Sequence, residues 1–302
     1  MQVMIEKLII GSANFGLEYG VANRKKLDKA EVFTILGSLY ERGLWGLDTA
    51  RAYGAAESVI GEFFSERGKH CKVITKLPNR EYCSVEDVEK EIGISLRNLC
   101  VDSIDCVLLH SYQVYRQYND FIRPALKSLR SAGVIGQYGI SVYHREEADE
   151  FVKEAGERVA LEFPLNLFDR RFLDNGFLPG LKARGHTLFA RSVFLQGLFF
   201  LNREDLTGVF AKVREKIEKI NRIADEHRVN TACLALLFVA AQPWIDGIIT
   251  GVDSNEHLMS NIGCLSETNM LSFRDVENLL SDVRVDDEEI ILPYKWEMRN
   301  GK

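Results

Sequence analysis

The chain lacks the sequence features of several protein classes. Its six cysteines are scattered among 302 residues, without a CxxC pair or the cysteine–histidine spacing of a zinc site, so we predict no metal site. The net charge is −6 and no stretch forms a basic stripe, which argues against nucleic acid as a partner. The N-terminal segment contains no long apolar run, so neither a signal peptide nor a membrane-spanning helix is predicted.

The remaining composition is that of a globular protein. The hydrophobic fraction of 46% and the charged fraction of 27% provide for a full core and a solvated surface. Several of the cysteines fall in apolar strand or helix contexts and are expected to act as small hydrophobes, and the expected compartment is reducing, with a cytoplasmic location. Because no linker or repeat divides the sequence, residues 1–302 are predicted to form a single domain with a C-terminal tail from about residue 266.

Strand-like apolar runs alternate with helical segments along the chain. The first run, Leu8–Ile10, opens into a loop, and Lys29–Arg42 then has its apolar residues at helical spacing. The last run, Ile245–Ile249, precedes a helix at Asn255–Leu265. We count eight strand–helix units and one additional helix before the eighth strand. This order predicts the α/β class, with eight parallel strands closed into a TIM-type (β/α)8 barrel that has additional helices and long loops on its C-terminal face.

Local signals predict the bounds of several helices. Ser84 is predicted to cap a helix that runs to Leu99, with Asp87 as the reciprocal capping acid. A further helix is predicted at Phe172–Ala183, and another, packed outside the barrel, at Asp275–Leu280.

Polar residues follow three successive predicted strands at the point where each strand ends. The stretch Trp45–Gly54 ends a strand at Asp48 and places Tyr53 on the next loop, and the two following strands end in Lys76 and His110. Taken singly, each residue has an ordinary structural explanation, as a helix cap, a solvated charge or a hydrogen-bonded histidine. Because the C-terminal ends of barrel strands share one rim, the four together predict an acid–base catalytic site.

A wider pattern of residues surrounds these four. It comprises Leu47–Ala50 with Tyr53, Gly54 and Glu57, then Thr75–Leu77, Val101–Asp105 leading to Leu109 and His110, Gly139–Ser141, Phe163–Leu167, and Ile249–Gly251 running to Asn261. Over about residues 8–265 the pattern resembles the aldo-keto reductases of bacterial type. The resemblance implies an oxidoreductase that reduces an aldehyde or ketone to an alcohol by hydride transfer from NADP(H) or NAD(H), without a metal.

The resemblance also implies roles for the four catalytic candidates. Tyr53 would be the general acid that protonates the carbonyl oxygen of the substrate. Lys76 would lower the pKa of this phenol from its ordinary value of ~10, Asp48 would hold Lys76, and His110 would orient the carbonyl group. The expected partner is a small carbonyl compound, polar or derived from a sugar, and the oligomeric state stays open.

Eleven further residues occupy positions at which the family binds its cofactor. They are Ser141, Glu162, Asn166, Arg191, Ser192, Leu195, Gly197, Gly251, Ser254, His257 and Asn261. Glu162 stands where many members have glutamine, and a carboxylate cannot donate to the carboxamide carbonyl of nicotinamide, a loss of about 1 kcal/mol. The segment Gly251–His257 has no permanent cation for the 2′-phosphate of NADP and carries Asp253 and Glu256. The preference between NADP and NAD is therefore unresolved.

Two other functions stay open beside carbonyl reduction. The family includes regulatory subunits that bind the cofactor, so a catalytically slow redox-sensing protein on the same fold is the alternative. A lyase or isomerase with a Schiff base on Lys76 is opposed by the expected pairing with Asp48, because a paired, protonated amine is a poor nucleophile.

The substrate pocket is expected on three segments of the C-terminal face. These are the loops Ser111–Asn119 and Val193–Gly208 and the C-terminal tail. The aromatic residues of the tail, Tyr294 and Trp296, are explained equally by packing on the surface and by a lid over the pocket.

Overall fold

Eight parallel strands form a closed barrel in which each strand pairs with the next in the sequence and β8 pairs with β1. The computed structural model describes residues 2–21, 25–44, 46–68, 70–266 and 278–296. The strands are β1 Leu8–Gly11, β2 Gly46–Asp48, β3 Lys72–Leu77, β4 Ile104–Leu109, β5 Ile135–Ser141, β6 Ala160–Pro164, β7 Thr187–Arg191 and β8 Gly247–Gly251. Their closed order confirms the predicted TIM-type barrel.

Helices cover the outside of the barrel. Those with α-helical geometry in the described residues are α1 Gln2–Ile5, α2 Ala13–Gly16, α3 Lys29–Glu41, α4 Ala56–Arg67, α5 Val85–Leu99, α6 Tyr112–Ser131, α7 Arg145–Ala155, α8 Phe177–Ala183, α9 Arg214–Glu226, α10 Thr231–Ala240, α11 Asn255–Ser266 and α12 Glu288–Ile291. Both α9 and α10 precede β8, which confirms the predicted additional helix. In the part of the chain that the structure describes, no helix has the length and apolar character needed to cross a membrane.

The apolar core is divided between the two faces of the sheet. Successive residues of a strand point to opposite faces, and Leu8 and Ile10 belong to the large cluster that also contains the helix residues. Ile9, between them, belongs to a separate small cluster that must therefore face the barrel axis. We call this small cluster the axial cluster; it consists of Ile9, Ile74, Cys106, Leu108, Ala160, Phe189 and Ile249.

Helix α5 begins as its sequence predicts. The Ser84 hydroxyl oxygen accepts a hydrogen bond from the backbone N–H of Asp87 at 3.2 Å. The Asp87 carboxylate accepts one from the backbone N–H of Cys83 at 3.1 Å. These two bonds satisfy backbone donors that have no partner within the helix, and the helix ends at Leu99 as predicted.

Two predicted segments are wrong in detail. The loop predicted at Ser111–Asn119 is instead the first part of α6, because the Ser111 hydroxyl caps that helix by accepting from the backbone N–H of Val114 at 3.3 Å. The helix predicted at Phe172–Ala183 is divided into a 3₁₀ segment, Arg171–Gly176, and α8. The break lies at the end of the 3₁₀ segment, where Asn175 and Gly176 have left-handed φ values of 57° and 68° that cannot continue a helix.

The cysteines also differ from the expectation. Cys233 of α10 and Cys264 of α11 form a disulfide, so neither is a free thiol. Of the free cysteines, Cys71 and Cys106 are buried, as expected of small hydrophobes, whereas Cys83 and Cys100 are exposed. The sequence separation of 31 between the paired cysteines matches no short cysteine motif, so the pairing depends on the packing of α10 against α11.

The described part of the C-terminal tail packs on the barrel. Trp296 is only 6% exposed, its indole N–H donates to the backbone oxygen of Glu289 at 3.1 Å, and its ring meets that of Phe210 edge-on at 4.8 Å. Surface packing is therefore the better explanation for Trp296. Tyr294 contacts the ring of Tyr143 at 4.8 Å, at the mouth of the barrel.

Two sequence predictions fall partly outside the described residues. In the second predicted strand, Trp45 lies outside them. In the predicted outer helix, positions 275–277 lie outside them. Asn278 and Leu279 of that segment are helical.

Candidate active site

Six strands carry a polar side chain at or just beyond their C-terminal ends. Each lies two residues after an inward-facing position of its strand, so strand alternation directs it toward the barrel axis. They are Asp48 of β2, Lys76 of β3, His110 after β4, Ser141 of β5, Glu162 of β6 and Arg191 of β7. We call this set the polar layer. The axial cluster fills the barrel beneath it.

Lys76 is the centre of the polar layer. Its ammonium group is hydrogen-bonded to Asp48, the pairing expected from the sequence, and also lies 3.2 Å from Glu162 Oε2, which was not expected as a partner. The exposed fractions of the three side chains are 1% for Lys76, 5% for Asp48 and 1% for Glu162. In such surroundings opposite charges interact more strongly than they do in water.

Burial and the neighbouring charges shift the pKa values of this cluster. Burial raises the pKa of Asp48 to about 7, opposed by Lys76 and reinforced by Glu162. Burial alone would lower the pKa of Lys76, but the charges of Asp48 and Glu162 outweigh it and raise the pKa above its ordinary value. Burial would raise the pKa of Glu162, but Lys76 and Arg191 outweigh it and hold the pKa below its usual range. Lys76 therefore stays protonated at neutral pH.

Tyr53 lies at the mouth of the barrel beside Lys76. The centre of its ring is 5.7 Å from Lys76 Nζ and 6.0 Å from the centre of the His110 ring. Burial raises the pKa of Tyr53, and Lys76 opposes this rise without cancelling it, since Asp48 and Glu162 add to it. The expected lowering by Lys76 is present, but burial and the two carboxylates outweigh it, so the net shift of the pKa is upward. Tyr53 is a protonated phenol at neutral pH.

His110 is uncharged at neutral pH. Burial lowers the pKa of its imidazole to about 4, and the positive charge of Lys76 adds to the depression. The ring meets that of Tyr53 edge to face, at an interplanar angle of 88°. A neutral imidazole has one N–H donor and one acceptor, so His110 can donate a single hydrogen bond into the mouth.

Glu162 links the polar layer to the strands on either side of β6. Its Oε1 accepts a hydrogen bond from Ser141 Oγ at 2.8 Å and lies 3.4 Å from Arg191 Nε. Arg191 Nε also donates to Ser141 Oγ at 3.2 Å, and its guanidinium lies 4.2 Å from the ring centre of Tyr143. Tyr143 was not singled out from the sequence, although its position two residues after Ser141, at the exit of β5, is a usable signal.

Asn166 joins the loops that follow β6 and β7. It is fully buried, and its Oδ1 accepts hydrogen bonds from the backbone N–H groups of Phe168 and Asp169, at 2.9 Å each. Its Nδ2 donates to the backbone oxygen of Ser192 at 3.1 Å. A contact between Asn166 and a cofactor would therefore use the second hydrogen of its amide.

The loop after β7 has an unusual backbone. Ser192, Leu195, Gln196 and Gly197 have φ values of 58°, 46°, 53° and 92°, all in the left-handed region. Three of these residues are not glycine, and left-handed non-glycine residues are uncommon and concentrate at functional sites. Because the side chain of Leu195 is buried in the core, only its backbone could contact a ligand.

The loop after β8 leads into the N-terminus of α11. Gly251 ends the strand, and Ser254 caps the helix by accepting from the backbone N–H of His257 at 3.2 Å. His257 is exposed, and Asn261 lies buried in the second turn of the helix. The free N–H groups and the partial positive charge of such a helix end suit a phosphate group.

Lys25 is a permanent cation that interacts electrostatically with Asp253 and Glu256 of this loop, although its ammonium group is paired with Glu31. Asn14, after β1, donates to the backbone oxygen of Val252 at 2.6 Å and to Asp253 Oδ1 at 3.3 Å, so the two loops are joined. A hydrogen bond with Glu31 raises the pKa of Lys25, and the charge of Asp253 contributes to the rise. Only the closed barrel brings β1 beside β8, and the sequence order conceals this proximity.

The polar layer retains unsatisfied hydrogen-bonding capacity. His110 Nδ1 is buried and makes no hydrogen bond within the described residues, whereas Glu162 Oε2 is paired with Lys76. Since buried polar atoms normally have partners, His110 Nδ1 indicates a polar ligand at the mouth. With the helix end at Ser254 suited to phosphate, the donor and acceptor set fits a nicotinamide dinucleotide.

The fold and this site define a (β/α)8-barrel protein with a buried acid–base cluster at its C-terminal mouth. A family model described as "Aldo/keto reductase family" matches residues 7–279. The chain belongs to the aldo/keto reductase family, which confirms the resemblance found in the sequence. The protein is thus an oxidoreductase of a family that uses NAD(P)H and whose general activity is carbonyl reduction.

Individual relatives are distant but cover most of the chain. "Uncharacterized oxidoreductase YqkF" of Bacillus subtilis is 26% identical over 279 residues, which are 86% of this chain and 90% of the relative. "Probable voltage-gated potassium channel subunit beta" of Oryza sativa subsp. japonica is 25% identical over 92% of this chain and 93% of the relative. The solved structure of an aldo-keto reductase from Bacillus halodurans in its holo form aligns with a TM-score of 0.76 and 20% identity, over 93% of this chain and 94% of that one.

Proposed function

We propose that the protein reduces a small aldehyde or ketone to an alcohol with NADPH or NADH, using Tyr53 as the general acid. The observation that carries this proposal is the position of Tyr53 at the mouth of the barrel, beside both Lys76 and His110. Membership of the aldo/keto reductase family supports the reaction class. When bound, the cofactor would supply the hydride.

Three groups of residues would hold the cofactor. The nicotinamide end would contact Ser141, Glu162, Asn166 and Arg191. The pyrophosphate would contact the loop of Ser192, Leu195 and Gly197, whose left-handed backbone supports a binding role. The adenosine end would contact Gly251, Ser254, His257 and Asn261, where the capped N-terminus of α11 supports phosphate binding.

The proton chemistry belongs to residues of the polar layer and to Tyr53. Since burial keeps Tyr53 protonated at neutral pH, the phenol can give its proton to the carbonyl oxygen as the C–H bond forms. The ammonium of Lys76, held by Asp48, would stabilise the phenolate that remains. Neutral His110 would donate one hydrogen bond to the carbonyl oxygen and so orient the substrate. A positioned general acid of this kind typically contributes ~10²–10⁴-fold to the rate.

The surroundings of Arg191 support a polar substrate with a flat or ring-shaped face, such as a carbonyl compound derived from a sugar. The ring of Tyr143 lies beside its guanidinium and meets the ring of Tyr294. An aromatic face of this kind can pack on the apolar side of a small ring.

A slow, cofactor-binding regulatory protein is the second candidate. The observation that favours it is the similarity to a probable potassium channel subunit beta over 92% of the chain. A Schiff base on Lys76 is not supported, because two carboxylates pair with its ammonium and hold it protonated.

The test is Tyr53→Phe, which keeps the ring and removes the hydroxyl. We expect kcat with a panel of aldehydes and sugar-derived carbonyls to fall by at least ~10²-fold, while the Kd of NADPH, measured by fluorescence, changes little. Retention of the parental kcat would exclude Tyr53 as the acid. If the parent itself binds the cofactor but turns over every carbonyl compound very slowly, the regulatory candidate is the better one.

A further inference from the structure

Glu162 is a buried charge at the proposed nicotinamide end of the cofactor site. Its side chain is 1% exposed, and it contacts the cations Lys76, at 3.2 Å, and Arg191, at 3.4 Å. Ser141 Oγ donates to it at 2.8 Å. Two cations and a hydroxyl donor around one carboxylate keep that carboxylate ionised, so Glu162 contributes a full negative charge to the polar layer.

The formal charges of the polar layer balance only because of Glu162. Above about pH 7, the pKa to which burial raises Asp48, the layer contains two ionised carboxylates, Asp48 and Glu162, and two permanent cations, Lys76 and Arg191. With an uncharged amide in place of Glu162, the same layer would carry one net positive charge. Because these side chains are largely shielded from water, that difference would act on any charged group bound at the mouth.

The two oxidation states of nicotinamide differ in charge. The oxidised ring is a cation and the dihydropyridine ring is neutral, so a nearby negative charge stabilises only the oxidised form. We propose that Glu162 sets the relative affinity of the protein for oxidised and reduced cofactor by compensating the positive charge of Arg191. This inference rests on the proposed function, in which Ser141, Glu162 and Arg191 lie at the nicotinamide end of the site.

Linkage connects this affinity ratio to hydride transfer. A site that binds oxidised cofactor more tightly, relative to reduced cofactor, makes the bound reduced form a stronger hydride donor. Glu162 would thereby favour carbonyl reduction even where its carboxylate makes one hydrogen bond fewer than glutamine does. Glu162 acts here through its charge on the cofactor, and no proton transfer to or from it is required.

The first test is Glu162→Gln, which keeps the shape of the side chain and removes its charge. Kd values of NADP⁺, NADPH, NAD⁺ and NADH are measured by titration calorimetry on the parent and the variant. We expect the ratio of the Kd of the oxidised form to that of the reduced form to rise by about tenfold, equivalent to about 1.4 kcal/mol, for both cofactors. An equal change in both Kd values would show that Glu162 acts only as a hydrogen-bonding group and would overturn the inference.

Arg191→Gln is the matched test of opposite sign. Removing the cation leaves Glu162 uncompensated, so the same ratio is expected to fall, and the double variant Glu162→Gln/Arg191→Gln is expected to return close to the parental ratio. A role of either residue in folding alone would not produce opposite shifts that cancel. If Glu162→Gln does not fold, Arg191→Gln alone decides, because an unchanged or increased ratio contradicts the inference.

Glu57→Gln is the control for removal of a buried carboxylate elsewhere. Glu57 is 2% exposed and accepts hydrogen bonds from Thr75 at 2.7 Å and from Asn98 at 3.1 Å, outside the polar layer. In Glu57→Gln the ratio of the Kd of the oxidised cofactor to that of the reduced cofactor should equal the parental ratio. An increase as large as that of Glu162→Gln would contradict the assignment to Glu162. Failure of the parent to bind either oxidation state would instead refute the proposed function.

Discussion

Replacing Lys76 by methionine tests the electrostatics of the polar layer most directly. Methionine occupies similar space but has no charge, so Asp48 and Glu162 lose their shared ammonium group. Breaking a buried ion pair by removing one partner costs about 3–5 kcal/mol. Glu162 keeps Arg191 and Ser141 as partners, whereas Asp48 has no second cation within ion-pairing distance among the described residues. We therefore expect a loss of about 3 kcal/mol in the free energy of unfolding at pH 8, together with loss of activity.

The pH dependence of this loss follows from the orphaned carboxylate of Asp48. Without Lys76, which opposes the effect of burial, the pKa of Asp48 in the folded state lies further above the unfolded value of ~4, so the folded state binds this proton more tightly than the unfolded state does. The contribution of Asp48 to stability is then greatest at low pH, where the carboxylate is protonated, and is lost as pH rises through the raised folded-state pKa. The difference between variant and parent should thus be smaller at pH 5.5 than at pH 8.

Urea unfolding of the parent, Lys76→Met and Lys76→Met/Asp48→Asn at both pH values provides the measurement. The double variant has no orphaned carboxylate and should recover part of the stability at pH 8 without recovering activity. A difference below about 1 kcal/mol between Lys76→Met and the parent, the same at both pH values, would show that water reaches the cluster. The electrostatic interpretation of the polar layer would then be wrong.

Two further predictions concern histidine and the adenosine end. His110 should titrate by NMR near pH 4 instead of ~6.5. Because its folded-state pKa is depressed, its stability contribution is complete above ~6.5 and is lost as pH falls through 4, so His110→Gln should be less acid-sensitive in urea unfolding. NADPH and NADH should bind with affinities within about tenfold of each other. His257→Ala and Lys25→Met should each weaken the binding of NADPH more than that of NADH. A large NADPH preference that survives both substitutions would place the phosphate elsewhere.

The alternation of strand-like and helical segments along the chain was sufficient to predict the barrel and the rim on which the functional residues lie. The eight strand–helix units and the polar residues at successive strand ends are local patterns, so Asp48, Lys76 and His110 could be assigned to one mouth before the fold was known. The second partner of Lys76 could not be assigned in this way. Glu162 of β6 reaches Lys76 of β3 across the interior of the barrel, and this contact exists only when the barrel is closed.

The direction of the pKa shift of Tyr53 was missed for a related reason. The sequence indicated the nearby ammonium, but the shift depends on how deeply the phenol is buried and on the additional carboxylate of Glu162. Both are properties of the assembled layer and not of any segment.

The start of α6 was concealed by polar and aromatic residues. Tyr112 and Tyr115, read as parts of a pocket loop, instead face α7, where they donate hydrogen bonds to Glu150 and Glu154. Aromatic residues that contact a neighbouring helix through their hydroxyl groups do not produce the aliphatic periodicity from which helices are predicted.

The axial cluster has a consequence for the resupply of protons. Apolar side chains lie beneath the polar layer, so the N-terminal end of the barrel offers no chain of polar groups toward Tyr53 among the residues of that cluster. In the proposed chemistry, each proton that the phenol donates must therefore be replaced from the solvent at the mouth. The carbonyl compound enters and the alcohol leaves through the same opening. The departing alcohol must clear that opening before water can restore the acid, and a bulky product would slow the next turnover even if its own reduction were fast.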